Sequence, residues 1–244
     1  MSTLPADVSG RLREACAVCS LKELCLPRGL NGPDLERLDD LVERQGPFHE
    51  GDHLFRVGDR FQALFAVRAG SYKSYTVDSE GREHVLGFHL PGELLGLDAI
   101  YPGRHLCNAL ALDTATVCAL PYEQLSDLAG RINGLRSQIM RLMSKDIADN
   151  ATLAGDFTAE ERLAAFLTGL SERFRQRGYS PTEFQLAMSR RDIANYLRLA
   201  TETVSRVFAR FEKDRLITVD RRAVHLLDLP RLRTLCAAMN DRQS

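Results

Sequence analysis

The chain has 244 residues, of which 44% are apolar, enough for two ordinary domains with hydrophobic cores. Its formal net charge is −1, yet residues 156–244 carry 16 Lys and Arg against 12 Asp and Glu, a local surplus compatible with nucleic acid. Because no run of 18 apolar residues and no apolar signal segment is present, we exclude a membrane-spanning class and expect a cytoplasmic protein.

Three of the six cysteines lie within the stretch CAVCSLKELC, at Cys16, Cys19 and Cys25. A reducing cytosol disfavours disulfides, so this group predicts metal or redox chemistry. The spacing lets one loop bring three thiolates to one centre, which leaves a four-ligand site one donor short. Four thiolates suit zinc or an iron–sulfur cluster equally, and ligand softness does not decide between them. The candidates for the fourth donor are Cys107, Cys118, Cys236 and His105.

Glycines recur from about Pro47 to Pro121 between short segments that alternate apolar and polar residues, such as LFAVRAG and YKSYTV. This pattern predicts an antiparallel β-roll or barrel. The sequence DSEG, from Asp78 to Gly81, predicts a hairpin turn between two of its strands.

After Pro121 a proline-free stretch rich in Leu, Ile, Met and charge predicts one long helix. Its residues at alternating spacings of three and four form a heptad stripe. The stripe either packs on the roll or pairs two chains; we favour a dimerisation helix, because the roll closes its own core. The stripe residues are Met140, Met143, Ile147, Asn150 and Ala154.

The C-terminal third begins with a helix capped by Thr158 and Glu161. A second capping box, Ser189 with Asp192, starts two helices joined by a tight turn, the outline of a helix-turn-helix, and LITVDRRAVHLLD predicts a small hairpin wing. The alternative is a solvated helical hairpin. Base contacts are predicted for Thr201, Glu202, Ser205 and Arg206, and phosphate contacts for Arg190, Arg191, Arg221 and Arg222.

The sequence resembles the Fnr branch of the Crp/Fnr transcription regulators, the fumarate and nitrate reduction regulators. The resemblance runs from about Ala15 to about Asp228 and is carried by the segments CAVCSLKELCLP, GFHLPGELLGLDAI, VCALPYEQL, RLMSKDI, ERLAAFL and ETVSRVFARF. It implies an α+β chain with an N-terminal antiparallel β-roll like a cyclic-nucleotide-binding domain, a long dimerisation helix and a C-terminal winged helix-turn-helix. The expected segments are a cluster-binding loop (1–30), the roll (31–125), the dimerisation helix (126–155) and the DNA-binding domain (156–244).

The resemblance also implies an oxygen sensor. An enzyme is not expected, because the sequence contains no nucleophile elbow and no phosphate-binding loop. Cys16, Cys19, Cys25 and Cys118 would hold a 4Fe-4S cluster, which oxygen degrades to a 2Fe-2S form with loss of dimerisation and DNA binding. The homodimer would bind double-stranded DNA with a dyad-symmetric, TTGAT-like half-site and contact RNA polymerase, in part through the hairpin at Asp78 to Glu83. A hairpin that contacts nothing is the alternative there. The alternative for the whole chain is a regulator of the same family with structural zinc, haem or a small-molecule effector.

Several positions depart from the family pattern. His105 and Leu106 stand where cyclic-nucleotide-binding relatives have an Arg-Ser pair, which disfavours that ligand. Arg198 replaces the common glycine of the helix-turn-helix turn, and Ala200 replaces a capping Ser or Thr; each change is expected to cost roughly 1 kcal/mol. Asn150 stands where Fnr-type proteins carry an acidic residue, which would favour the dimer.

Overall fold

Eight short strands in two antiparallel sheets form a β-roll in the computed structural model, which describes residues 16–151 and 157–241. The strands are β1 (Glu43–Phe48), β2 (His53–Phe55), β3 (Ala63–Ala69), β4 (Tyr72–Val77), β5 (Glu83–His89), β6 (Leu94–Leu95), β7 (Asn108–Ala111) and β8 (Ala115–Pro121). One sheet has the order β1-β8-β3-β6 and the other β2-β7-β4-β5. The turn predicted at Asp78 to Gly81 is confirmed, because it joins the paired strands β4 and β5.

The alternation of side chains along β8 separates the inside of the roll from its outer face. Ala115 and Val117 are fully buried in a core with Tyr72 between the two sheets. Cys118 and Leu120 point the other way, into a second core beneath the helices. This outer core receives the N-terminal helix α1 (Gly32–Leu41) and the helices that follow β8.

The long helix predicted after Pro121 is in fact two helices, α2 (Tyr122–Arg131) and α3 (Asn133–Ala151). The helix is interrupted at Ile132, whose φ of −114° and ψ of 99° are those of extended backbone. Two physical reasons coincide there: Ile132 is buried in the outer core, and the next residues, Asn133 and Gly134, are weak helix formers. Among the described residues, no helix is both long and apolar enough to cross a membrane.

The C-terminal part, described over residues 157–241, contains four helices and a three-stranded sheet there, and both predicted capping boxes are confirmed. Its core also takes in Tyr75, Val85 and Phe88 of the roll, so the two parts pack directly on each other. The predicted α+β class, with a roll followed by a winged helix-turn-helix, is confirmed. The elements are α4 (Ala159–Gln176), β9 (Glu183–Gln185), α5 (Arg190–Tyr196), α6 (Thr201–Lys213), β10 (Ile217–Asp220), β11 (Ala223–Leu226) and α7 (Leu229–Asp241).

Candidate metal centre and nucleic-acid interface

A series of tight turns, residues 16–27, lies on the outer face of the roll; we call it the cysteine loop. It begins with a short 3₁₀ helix at Cys16–Val18. Farther along, the amide of Cys25 donates to the carbonyl of Leu21 at 3.0 Å. Leu26 is fully buried in the outer core and fixes the end of the loop. The loop thereby places three thiols, those of Cys16, Cys19 and Cys25, at one hollow.

The fourth thiol of this hollow belongs to Cys118. On β8, Cys118 pairs with Arg44 of β1 and Ala66 of β3, in the middle of its sheet, and its side chain is on the outer face. All four cysteines are free thiols. We call the hollow the cysteine pocket; its aliphatic walls include Leu21, Leu26, Pro27, Leu38, Val42 and Leu120.

Burial favours the protonated form of three of these thiols, those of Cys16, Cys25 and Cys118. Burial, followed by the carboxylate of Asp39 and the neighbouring thiols, raises the pKa of Cys16 to about 12. Burial also raises the pKa of Cys25 to about 12. Burial raises the pKa of Cys118 as well, although the guanidinium groups of Arg68 and Arg44 oppose the shift. A cationic metal centre would stabilise the thiolates and displace these protons, so the donor set fits a metal–sulfur group.

The other candidates for a fourth ligand lie elsewhere. Cys107 is buried inside the roll, and its Sγ is 3.5 Å from a carboxylate oxygen of Asp98. His105 is buried and stacks on Phe55 with ring centroids 3.7 Å apart. Cys236 packs against the core of the C-terminal part. The structure therefore brings Cys118, and not these residues, to the thiols of the cysteine loop.

Within residues 16–151 and 157–241, no three His, Cys, Asp or Glu side chains are arranged around one point as ligands of a single metal ion. The four thiols line one hollow. A tetrahedral zinc site needs all its sulfur donors about 2.3 Å from one ion. A cluster of several iron and sulfide ions is larger, and its thiolates are correspondingly farther apart.

The predicted stripe on α3 is exposed in its first part. Met140 is 60% exposed and Ile147 is 69% exposed, so neither packs on the roll of its own chain. Met143 is half-buried at the edge of a cavity between the roll and the C-terminal part. The side chain of Asn150 and the whole of Ala154 lie outside the described residues.

The opposite face of α3 carries a second apolar surface, outside the predicted stripe. Leu135, Ile139 and Leu142 pack into the outer core beside α2. Gln138 is buried there, and its Nε2 donates to the carbonyl of Cys25 at 2.9 Å. One face of α3 therefore contacts the cysteine loop, whereas Met140 and Ile147 are exposed on another face. The sequence does indicate this face, because Leu135, Ile139 and Leu142 follow one another at spacings of four and three residues.

The helix-turn-helix consists of α5 and α6. Val204, Val207 and Phe208 are buried and hold α6 to the domain. Glu202, Ser205 and Arg206 are exposed on the first two turns of α6, and Thr201 is half-buried at its first position. The Oγ of Ser205 donates to the carbonyl of Thr201 at 2.9 Å. The N-terminal face of α6 thus presents acceptor and donor groups to solvent, as a helix that enters a major groove does.

Among the four arginines predicted to contact phosphates, Arg190 has a different environment. Its guanidinium stacks on Phe208, 3.4 Å from the ring centroid, and burial lowers its pKa. Arg190 therefore joins α5 to α6 through a cation–π contact. Arg191, Arg221 and Arg222 are exposed, and Arg222 lies 3.9 Å from Glu50 of the roll.

The two departures in the helix-turn-helix have the expected backbone consequences. Arg198 has a φ of +56°, the left-handed conformation that disfavours side chains with a Cβ. Ala200 is the N-cap of α6 with extended backbone, and its methyl group cannot accept a hydrogen bond from the first turn.

A cavity of about 530 Å³ lies between the roll, α3 and the C-terminal part. Glu93, from the GEL stretch, lines it but is already engaged: its carboxylate accepts hydrogen bonds from Arg173 and Arg177. His105 and Leu106 occupy the positions of the phosphate-binding pair, the first buried against an aromatic ring and the second exposed. No pattern in the sequence indicates the ion pairs of Glu93, because Arg173 and Arg177 lie 80 or more residues from it.

Two domain families match the chain. Residues 46–131 match the cyclic nucleotide-binding domain, and residues 161–235 match the Crp-like helix-turn-helix domain. The transcriptional activator protein Anr of Pseudomonas protegens is 45% identical over 227 residues, 92% of this chain and 93% of that protein. The fumarate and nitrate reduction regulatory protein of Escherichia coli is 48% identical over 214 residues, 86% of each chain. The protein of that name from Vibrio cholerae is 44% identical over 236 residues, 96% of this chain and 94% of that protein.

Solved structures agree with the sequence matches. FixK2 from Bradyrhizobium japonicum superimposes with a TM-score of 0.71 and 27% identity, over 80% of this chain and 96% of that one. The match spans the roll and the helix-turn-helix together, so the order of the domains is shared as well as each domain.

Proposed function

Because the chain belongs to the Fnr branch of the Crp/Fnr family of transcription regulators, we propose that it senses oxygen through a 4Fe-4S cluster held by Cys16, Cys19, Cys25 and Cys118. The relatives are regulators and not enzymes, as expected from the sequence. Regulators of this family bind DNA as dimers. The proposed site of action is the cytoplasm, and the proposed dimer binds DNA when oxygen is absent.

The single observation that carries the proposal is the cysteine pocket. Three thiols from the cysteine loop and one from β8, about 90 residues later, face one hollow with aliphatic walls. The bound cluster would supply an oxygen-reactive centre that decays through a 2Fe-2S form. Structural zinc is the competing occupant, since four thiolates also suit a tetrahedral zinc site, and analysis of iron and acid-labile sulfide distinguishes the two.

The residues around the pocket suggest how its occupancy reaches the dimer. Gln138 of α3 donates to the backbone of Cys25, and Cys118 lies four residues before the start of α2. When its three thiolates and that of Cys118 bind one group, the cysteine loop holds the carbonyl of Cys25, which accepts from Gln138, in a fixed position. We expect this to stabilise the position of α3 whose exposed face carries Met140 and Ile147. The stripe then pairs with the same stripe of a second chain.

Dimerisation places two α6 helices about one turn of DNA apart, roughly 34 Å. Glu202, Ser205 and Arg206 are proposed to recognise a TTGAT-like half-site, with Thr201 nearby and the exposed arginines on phosphates. A monomer holds only one half-site, so the switch acts through avidity. The exposed hairpin from Asp78 to Glu83 is the proposed contact for RNA polymerase.

Replacement of single cysteines tests the ligand set. We expect Cys118→Ala, purified without oxygen, to lose most of its iron and acid-labile sulfide. The matched control is Cys107→Ala, which removes a buried thiol from the same roll and should retain both. A Cys118→Ala protein with a full complement of iron, or a wild-type protein that contains zinc without sulfide, would overturn the proposal.

A further inference from the structure

The turn from Leu90 to Glu93, which follows β5, touches the cysteine loop on one side. Gly92 has a φ of +89°, and a Cβ built on it would lie 3.0 Å from the Cβ of Leu24 and 3.8 Å from that of Leu21. Both leucines belong to the cysteine loop, between Cys19 and Cys25. The backbone of the turn is therefore in close contact with the segment that carries three of the thiols.

The same turn binds the DNA-binding domain on its other side. Glu93 accepts from Arg173 of α4 at 2.9 and 2.6 Å and from Arg177 at 2.7 Å. Arg177 also donates to the carbonyl of Pro91 at 2.7 Å, and Arg173 donates to that of Phe88 at 2.6 Å. The side chain of Arg177 is only 2% exposed. The side chain of Glu93 is 23% exposed, so the ion pair is largely buried, and such a hydrogen-bonded pair is costly to break from one side.

The charges of this contact are stable at neutral pH. Burial alone would raise the pKa of Glu93, but the guanidinium groups of Arg173 and then Arg177 overcome it and hold the pKa at about 2. The carboxylate therefore stays ionised between two cations. Its contribution to domain docking is present above the ordinary pKa of a glutamate and is lost only as the pH falls toward 2.

The turn itself is stiff. The amide of Gly92 donates to Val67 of β3 at 2.8 Å, and the amide of Val67 donates to the carbonyl of Glu93 at 2.9 Å. Within the turn, the amide of Leu90 donates to the carboxylate of Glu93 at 3.0 Å. A displacement of Gly92 is therefore passed to Glu93 instead of being absorbed between them.

We propose that the turn from Leu90 to Glu93 transmits the state of the cysteine pocket to the DNA-binding domain within a single chain, with Glu93 as the positioning residue. This inference rests on the proposed function of the pocket and adds a second route to it. The first route, through Gln138 and α3, controls whether two chains pair. The second controls how firmly α4, and with it the helix-turn-helix, is held against the roll.

A different pair of contacts joins the same domains at the other end of β5. Lys73 donates to Glu83 at 2.9 Å and to Asp192 of α5 at 2.7 Å. Asn195 bonds the amide of Val85 at 2.7 Å. These contacts hold the domains together at the beginning of β5, whereas the turn follows its end. They provide a control that loosens docking at a distance from the cysteine loop.

The test uses the full-length chain with Met140→Glu, a change on the exposed stripe of α3, confirmed as a monomer by sedimentation so that dimerisation cannot contribute. Amide hydrogen exchange is measured without oxygen on iron-loaded protein and on the same protein after chelation of its iron. We expect removal of iron to speed exchange about threefold or more in residues 173–178, as well as in the cysteine loop. When Glu93→Gln is added to this chain, the cysteine loop should still exchange faster after removal of iron. Residues 173–178 should then exchange at the same rate with and without iron.

The matched control is Lys73→Gln in the same monomeric chain. It should raise exchange in the DNA-binding domain in both states while the response of residues 173–178 to iron persists. If residues 173–178 of the monomer exchange at the same rate before and after removal of iron, the transmission is refuted and the proposed function stands. The same holds if these residues still exchange faster without iron in the Glu93→Gln variant. Protein that contains no iron or sulfide after anaerobic isolation would overturn the proposed function and the transmission with it.

Discussion

The guanidinium of Arg206 projects from the exposed face of α6, near its N-terminus, where base edges would be read. An arginine in this position can bond guanine O6 and N7 together. We expect Arg206→Ala to weaken binding to a TTGAT-like site by about 1 to 3 kcal/mol and to relax preference at one base pair.

Competition binding against sites altered at each position measures this effect. The control is Arg191→Ala, which should weaken binding to all sequences alike and reduce the salt dependence by about one charge. Unchanged discrimination in the Arg206→Ala protein would show that α6 is oriented differently on DNA.

Arg198 carries a backbone strain that a glycine would relieve. Its φ is +56°, and a Cβ in the left-handed region costs about 1 kcal/mol or more, part of which a glycine gives back through its larger entropy in the unfolded chain. We expect Arg198→Gly to stabilise the chain by about 0.5 to 1 kcal/mol, measured by denaturant unfolding. Ala209→Gly, at an exposed position inside α6, should destabilise by about 1 kcal/mol, and equal signs for the two would be inconsistent with this explanation.

At the scale of the helices, α6 begins without a capping side chain. Ala200 has the extended backbone of an N-cap, so a serine hydroxyl there would reach the free amides of the first turn. We expect Ala200→Ser to raise the free energy of unfolding by about 1 kcal/mol. Ser189, which already caps α5 by accepting from the amide of Asp192, provides the reference: Ser189→Ala should cost a similar amount. A destabilising Ala200→Ser would mean that the hydroxyl cannot reach those amides.

Local chemistry explains which elements the sequence could predict. The capping boxes at Thr158 and Ser189, and the hairpin at Asp78, depend on residues within four positions of one another, and each is present. The break at Ile132 and the partner of Gln138 depend on the outer core, which is built from distant segments. For the same reason no pattern along the chain indicated that Glu93 would pair with Arg173.

The residues of the candidate site were also only partly predictable from the sequence. Cysteine spacing predicted three thiols at one centre but left the fourth open among Cys107, Cys118, Cys236 and His105. The family resemblance selected Cys118, and the fold gives the reason for its location: it lies on the outer face of β8, where the cysteine loop packs. The environment of Arg190 could not be predicted. Nothing in the sequence distinguishes an arginine that contacts DNA from one that stacks on Phe208.

At the scale of the whole molecule, the exposed stripe on α3 must be covered for the dimer to form. Burying Ile147 on both chains is worth several kcal/mol, so a buried glutamate pair should weaken the dimer at least a hundredfold. We expect Ile147→Glu to sediment as a monomer even when loaded with iron. Val77→Glu makes the same change at an exposed apolar residue of the roll and should remain dimeric. A dimeric Ile147→Glu would place the interface elsewhere.

The most direct measurement of the whole switch is DNA binding by anaerobically purified protein, before and after exposure to air, with iron and sulfide determined in the same sample. We predict four iron and four sulfide ions per chain before air, in accord with a cluster held by four thiolates. After air, dimerisation should be lost and affinity for a two-half-site DNA should fall about a hundredfold or more. Equal affinity before and after air, in protein that has lost its sulfide, would contradict an oxygen switch at the cysteine pocket.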